Sequence, residues 1–382
     1  MEIARGDAVA LARALIKIDS RNPTLVPGAP GESGCALFLA RVLQEWGFET
    51  ELLEQVGGRP NLVARIGPRD APSLMFAGHL DVVGVEGMIH PPFSAEIRDS
   101  RIYGRGSADM KGGIAAMCAA AAIAIDGTSR KNVVIAAVVD EEYESLGMRA
   151  LLESGVRAEA AVLTEPTRLA ICPAHRGFVW MNVAIRGRAA HGSRYDLGVD
   201  AITHAGLLLA ELHALEQTRE GALTHRLLGR ASLHASTVSG GTGMSTYPDF
   251  CELTIERRTL PGETAEGALS EVRDAIDRVK AEDSRFDASV TLNTAQAPSD
   301  VSADAPIVRK LASALRAEGL ESPIEGLSAW TDAALLNEAG IPAICFGPGD
   351  IALAHSAEEW VPISEVESAT RVLAKLASDW CG

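Results

Sequence analysis

The stretch MFAGHLDVVG, residues 75–84, carries His79 and Asp81 two positions apart at the end of an apolar run. Side chains of a strand alternate between faces, so an imidazole and a carboxylate at that spacing share one face. The same placement recurs along the chain. Asp109 lies in GRGSADMKGG, just before an apolar helical pattern; Glu141 and Glu142 follow NVVIAAVVD; Glu165 follows AAVLT; His355 follows PAICFGPGDIALA. Two histidines and a handful of carboxylates, with no cysteine among them, make a ligand list for a hard-to-borderline divalent cation such as zinc, cobalt or manganese. Taken singly, each segment has a plainer reading. A His-x-Asp pair is more often a hydrogen-bonded polar pair, and DEE is usually a solvated turn. Five sequence-distant segments ending in the same way carry more weight, because parallel strands bring their carboxyl ends together. Phosphate binding is disfavoured: Gly104 and Gly106 lack a third glycine at the dinucleotide spacing, and Lys111 lacks the glycines that precede a P-loop lysine.

The elements that must position these residues alternate. NLVARIG, SLMFAG, NVVIAAVV and AEAAVLTEP read as strands, the third a continuous apolar run as expected of a strand covered on both faces. GGIAAMCAAAAIAI and LGMRALLES read as helices between them. This alternation predicts an α/β fold with a mixed, largely parallel sheet sandwiched by helices. From about Gly177 the texture changes to strand, helix, strand, strand, helix, strand, ending with FDASVTLNT. That order suits an inserted α+β module of ferredoxin-like type. After the Pro-, Ser- and Asp-rich AQAPSDVSADAP the α/β texture returns. The expected organisation is a catalytic domain in two parts, residues 1–176 and 296–382, around an inserted dimerisation or lid domain at 177–295. A sheet edge and a long helix in the insertion need a partner, so a homodimer through that domain is expected.

The chain has 382 residues, 47% of them hydrophobic and 23% charged, with a net charge of −16. This is an ordinary globular composition. The acidic balance argues against nucleic acid as a partner, which calls for a basic surface. No window approaches the ~18 consecutive apolar residues of a membrane span, and the opening stretch lacks the basic end and apolar run of a signal peptide. A cytoplasmic protein without a membrane partner is expected. The six cysteines are scattered with no C-x-x-C pair, so they read mostly as small buried hydrophobes.

Together these segments resemble the co-catalytic dizinc amidohydrolase and exopeptidase family of acetylornithine deacetylase, succinyl-diaminopimelate desuccinylase, aminoacylase-1 and glutamate carboxypeptidase. The likeness runs from GHLDVV through PPFSAEIRDSRIYGRGSADMKGG, DEE, TEPT, GRAAHGS, ERRTLPGE and TDAALL to FGPGDIALAH. Its specificity rests on motif order and spacing together. The resemblance implies a zinc-exopeptidase-like catalytic domain holding two divalent ions, zinc foremost, with cobalt or manganese as alternatives. His79 resembles a ligand of one ion, with Glu165 completing that side. Glu142 and His355 resemble ligands of the second, and Asp109 the carboxylate that bridges both. Ions sharing a bridge lie about 3.5–4 Å apart and can hold a water between them. Asp81 resembles the partner that orients the His79 ring and raises its basicity. Glu141 resembles the general base that takes a proton from the metal-bound water and passes it to the leaving nitrogen.

In the insertion, His191 resembles a histidine that reaches the partner subunit's active site and stabilises the oxyanion. Arg258 resembles an arginine that binds the substrate carboxylate, with Arg257 as the competing choice. Thr331, in the TDAALL motif, is counted with the substrate-binding residues. Two positions depart from many relatives: Ser245 stands where an asparagine is common, and the bulky Trp330 precedes Thr331 where several relatives carry small residues. The implied activity is hydrolysis of an amide bond next to a free carboxylate. N-acyl amino acids are the expected substrates, and short peptides cleaved by an exopeptidase are the alternative. A non-catalytic metal-binding relative and a nucleotide-binding α/β protein are the remaining readings. The first is disfavoured by the full ligand set with Glu141, the second by the glycine spacing.

Overall fold

The computed structural model describes residues 3–68, 73–125, 132–221 and 224–380. Cys381 therefore lies outside the described residues; the other five cysteines are free and buried. The chain divides into two compact units. Met1–Pro173, Val301–Leu327 and Thr331–Gly382 form the first; Ala174–Asp300 with Ser328–Trp330 form the middle unit.

The first unit is built on a mixed sheet. Strands Asn132–Val138, Ser73–His79, Ala160–Leu163 and Ala343–Cys345 lie side by side in that order and run parallel. Arg59–Ile66 and then Glu49–Val56 extend the sheet antiparallel beyond Asn132–Val138. On the far edge, Cys345 pairs antiparallel with Cys172. The parallel strands are apolar without alternation because both faces are covered. Leu74, Phe76, Val133 and Ile135 pack on one face into a core shared with helices Ala8–Ile16, Ser33–Glu45, Gly112–Ala124, Pro306–Ala317 and Ile363–Trp380. Met75, Ala77, Val134 and Ala136 on the opposite face are equally buried, where the short helices Leu146–Glu153 and Ala333–Glu338 lie against the sheet. Full burial of one such side chain stabilises the fold by about 1.5–3 kcal/mol.

One glycine brings helix and strand close enough to shape the site. A Cβ on Gly113 would fall 2.0 Å from the Thr164 carbonyl oxygen. Only glycine lets the first turn of Gly112–Ala124 press against the end of strand Ala160–Leu163, immediately before Glu165. A small third sheet pairs Trp360–Pro362 with Arg101–Tyr103, and that strand with Glu96–Arg98.

The middle unit is a four-stranded antiparallel sheet in the order Ser232–Gly240, Phe250–Thr259, Gly177–Arg186, Asp287–Gln296. Helices Ala201–Thr218 and Ala265–Glu282 cover one face. The first is capped by Asp200, which accepts from the Ile202 and Thr203 amides, and the second by Thr264, which accepts from Gly267. Ala268, Leu269, Val272, Ala275, Ile276 and Val279 recur at helical spacing and pack onto Met181, Val183, Leu253 and Ile255. This is the split βαβ order of a ferredoxin-like module. Among the described residues of the whole chain, no helix is long and apolar enough to cross a membrane.

Candidate metal centre

Three adjacent parallel strands deliver the core of the site. His79 is the last residue of its strand and pairs with Val138, while Leu163 pairs with Ala77 two residues earlier. The chain therefore leaves Val138 toward Asp140–Glu142, and Leu163 toward Glu165, at the same end of the sheet as His79. Asp109 arrives on the wide turn Ser107–Lys111 that feeds helix Gly112–Ala124. His355, at φ +60°, follows the short turn Ile351–Leu353 beyond strand Ala343–Cys345.

The side chains meet. His79 Nε2 lies 3.0 Å from Asp109 Oδ1 and 4.0 Å from Glu141 Oε2. His355 Nε2 lies 3.0 Å from Glu142 Oε2 and 3.6 Å from Asp109 Oδ2. Ligand atoms of His79, Asp109 and Glu165 fall within 4.8 Å of one another, as do those of Asp109, Glu142 and His355. The two groups share Asp109, one oxygen facing each histidine.

This donor set fits a pair of divalent cations, and the electrostatics give the physical reason. Burial, joined by neighbouring acids, pushes the Glu165 carboxyl up to about 8, and Glu165 Oε1 is buried without a hydrogen-bond partner among the described residues. Burial likewise pushes Glu141 well above the carboxylate range and raises Glu142. Burial alone would depress His79, but hydrogen bonds to Asp109 and Asp81 outweigh it and hold the ring well above the usual imidazole range. The Glu142 hydrogen bond raises His355 to about 9. Carboxylates crowded away from water are what a bound cation would compensate.

Asp81 is buried beside the ring: His79 Nδ1 is 3.0 Å from the Asp81 carbonyl oxygen and 3.6 Å from its carboxylate. A proton on Nδ1 donated to that carbonyl orients the ring with Nε2 toward Asp109. The Asp81 carboxylate makes its shorter bonds elsewhere, accepting from the backbone amides of Glu141 and Glu142 at 3.1 Å each and from Asn22 Nδ2 at 2.9 Å.

Three further residues bear on the site. Glu359 is fully buried and accepts from the Ala108 and Asp109 amides and from Arg105, fixing the backbone that carries Asp109. Asp332 is buried, and among the described residues both its oxygens lack a hydrogen-bond partner of ordinary geometry; burial, offset only in part by the nearby Ser145 side chain, pushes it up to about 7. Asn22 joins Asp81 to Asp140. Asp332 follows Thr331 in the TDAALL motif, which is the signal that could have singled it out. Glu359 and Asn22 are single polar residues in loops and left no periodic signal.

Thr331 is buried, its hydroxyl 3.3 Å from Cys345 Sγ and accepting from the Ala333 amide at the start of helix Ala333–Glu338. His191 and Arg258 belong to the middle unit. His191 is exposed on a loop, with Nδ1 2.9 Å from Ser193 Oγ. Arg258 is part-exposed, ion-paired with Glu256 at 2.9 Å and placed over the Phe178 ring at 5.5 Å. Arg257, its competitor, is buried and engaged by Glu263 and Glu271. Trp330 also joins the middle unit, donating to the Ala297 carbonyl and meeting His175 and Phe178 edge-on. Ser245 contributes its carbonyl to the Gly192 amide.

Residues 75–379 match the model of peptidase family M20/M25/M40. The chain is 31% identical over 349 residues to the acetylornithine deacetylase of Myxococcus xanthus, covering 89% of this chain and 90% of that one. It is 30% identical over 376 residues to the N-acetyl-L-citrulline deacetylase of Xanthomonas campestris pv. campestris, covering 94% and 95%. Its fold is similar to that of a dinuclear metal-binding peptidase of the M20 family from Bacillus subtilis, with a TM-score of 0.75 over 98% of this chain and 97% of that one at 18% identity. A match over most of the chain, agreeing with two curated relatives along nearly their whole length, places it: the chain belongs to peptidase family M20/M25/M40 and is a hydrolytic, metal-binding enzyme.

Proposed function

We propose that the chain is a deacylase that hydrolyses the amide bond of N-acyl amino acids, with two divalent ions held by His79, Asp109, Glu142, Glu165 and His355. The observation that carries this reading is the pair of ligand groups sharing Asp109, with Glu141 beside them in neither group. When bound, the ions supply Lewis acidity that sharpens water as a nucleophile and polarises the scissile carbonyl. The roles of this chain's residues follow from their positions. Asp81 and the carbonyl behind His79 hold the ring. Asp109 faces both histidines and sets the spacing of the two halves. Glu141, adjacent in sequence to a ligand and buried, takes the proton from the attacking water and delivers it to the leaving nitrogen. The water oxygen bonds to the carbonyl carbon to give a tetrahedral oxyanion; the carbon–nitrogen bond then breaks as the nitrogen takes the proton from Glu141, and the products are a carboxylic acid and an amino acid.

Zinc suits two imidazoles with carboxylates, and cobalt or manganese fit the same donors. Arg258, less enclosed than Arg257, is assigned to the substrate carboxylate, and Thr331 to the wall of the substrate pocket. The middle unit is assigned as the inserted dimerisation domain. Its edge strand exposes His234 through Gly240, and helix Ala201–Thr218 exposes Ile202 and Leu207. His191 then acts on the oxyanion in the partner's site. A cytoplasmic location and the absence of nucleic-acid partners complete the reading, the latter resting on the charge of −16.

The second reading is an exopeptidase acting on short peptides, supported by the family and by the fold of the Bacillus subtilis peptidase. A hydrolysis screen decides between them, with N-acetyl, N-succinyl and N-formyl amino acids beside dipeptides, and zinc, cobalt and manganese supplied in turn. Turnover of N-acyl amino acids above dipeptides is expected. Dipeptides alone as substrates give the second reading, and turnover undiminished by a chelator contradicts both.

A further inference from the structure

Behind the acid loop lies a chain of polar groups, buried except for the part-exposed Arg59. Asn22 is fully buried, and its amide nitrogen donates to Asp81 Oδ2 at 2.9 Å and to Asp140 Oδ1 at 3.0 Å. Those two bonds use both of its N–H groups. Its side-chain oxygen accepts from the Thr24 amide, and its backbone amide donates to the Val82 carbonyl, so the residue is fixed at every polar atom. Asp140 is held further by Arg59 Nη1 at 3.0 Å. Arg59 grips Glu32 with two parallel bonds, Nε to Oε2 at 2.8 Å and Nη2 to Oε1 at 2.5 Å. Glu32 Oε1 in turn accepts from the Asp140 amide. Asp140 sits at φ +66°, in the left-handed region, just after strand Asn132–Val138 ends. The next two amides, of Glu141 and Glu142, both donate to Asp81.

We propose that Asn22 is a positioning residue for hydrolysis: with Arg59, Glu32 and Asp140 it forms a buried brace that fixes the Asp81 carboxylate and, through it, the backbone of Glu141 and Glu142. The charges explain the residue type. Three carboxylates, Asp81, Asp140 and Glu32, lie together, and the Arg59 guanidinium reaches Glu32 and Asp140 but not Asp81. Asp81 and Asp140 are bridged by a neutral group with two donors, which only a carboxamide supplies at that size. An acid at position 22 would add a fourth carboxylate, and an apolar residue would leave two buried acids facing a gap. The loop so held carries two glutamates with different tasks, one for a metal ion and one for a proton. A small shift of its backbone moves both, and proton transfer is the step more sensitive to distance.

The proposal rests on Glu141 as the base, so the test includes that residue. Full-length Asn22→Ala, Asn22→Ser and Glu141→Gln chains are compared with the unaltered protein at saturating zinc. Folding is followed by thermal melting, zinc content by elemental analysis, and kcat and KM on the best substrate of the screen. In Asn22→Ala, kcat per folded, zinc-loaded chain is expected to fall about 10–100-fold with KM nearly unchanged. Asn22→Ser, which keeps one donor, loses less, and it decides the matter where the alanine variant does not fold. A purely structural role would lower the melting temperature and leave kcat of the folded fraction alone. Unchanged kcat in the serine variant, with Glu141→Gln inactive, overturns the brace. A rise in KM without loss of kcat also overturns it. A fully active Glu141→Gln overturns the base assignment instead.

Discussion

Arg257 in the middle unit and Glu165 in the first are both buried charges, and they are buried in opposite ways. Arg257 is 1% exposed and arrives with its counter-charges: Nη2 lies 2.6 Å from Glu263 and Nε 3.0 Å from Glu271. Glu165 is 4% exposed, its Oε1 has no hydrogen-bond partner among the described residues, and it lies close to further acids. One arrangement is complete within the chain. The other leaves a buried carboxylate oxygen unmatched among the described residues, which a bound cation would compensate. Burial of charge is thus not itself a sign of function; unmatched burial is.

The largest effect expected from breaking this contrast is chemical. Glu141→Gln should lower kcat by about 10²–10⁴-fold while zinc content holds, measured by steady-state kinetics beside elemental analysis. Equal loss of zinc and activity would make Glu141 a ligand rather than the base. On the structural side, Arg257→Ala takes from Glu263 its ion-pair partner and leaves Glu271 with Arg219 alone. Because those glutamates are about a third exposed, the expected loss is about 2–3 kcal/mol in denaturant unfolding, below the range for a fully enclosed pair. Zinc content of the folded variant should not change.

Glu165→Gln sharpens the contrast because its sign should invert with metal. In the metal-free chain the substitution removes an unmatched acid and should stabilise by about 1–3 kcal/mol near pH 8. In the zinc-loaded chain it should destabilise. The pH dependence has the same origin. An unfolded Glu165 ionises near 4.5 and the folded one near 8. Between those values the folded chain holds more protons, so metal-free stability falls as pH rises. Asp332, raised from 3.8 to about 7, acts in the same direction. His355 adds stability that is present below 6.5 and lost as pH rises through about 9. Melting curves of the metal-free chain from pH 5 to 9 should therefore decline, and Glu165→Gln should flatten them. A rise over that range would contradict the unmatched-acid account.

Much of the site was legible because apolar runs mark buried parallel strands and a polar residue directly after such a run can only sit at the strand mouth. His79, Glu142 and Glu165 follow that rule; Asp109, before an apolar helix, and His355, beyond the last strand, stood with them, and motif order gave each its role. The rest reaches the site from elsewhere. Asn22, Glu32 and Arg59 come from a loop, a helix start and a neighbouring strand, and their meeting depends on packing that no local pattern encodes. Glu359 reaches Asp109 only because Trp360–Pro362 pairs with Arg101–Tyr103. The motif left Arg257 and Arg258 as competitors, although strand alternation separates them: Arg257 continues the alternation Leu253, Ile255 toward the helix-covered face, and Arg258 falls on the other. The place of Trp330 in the middle unit was not, because it depends on contacts with His175, Phe178 and Ala297, far away in sequence.

The central claim is that one carboxylate joins two ligand groups, and zinc stoichiometry tests it most directly. Metal-free chain is titrated with zinc and analysed for bound ion after gel filtration, for the unaltered protein, Glu165→Gln and Asp109→Ala. Two ions per chain are expected for the unaltered protein, one retained tightly in Glu165→Gln, and neither in Asp109→Ala. An Asp109→Ala chain that folds and keeps both ions would contradict a shared centre.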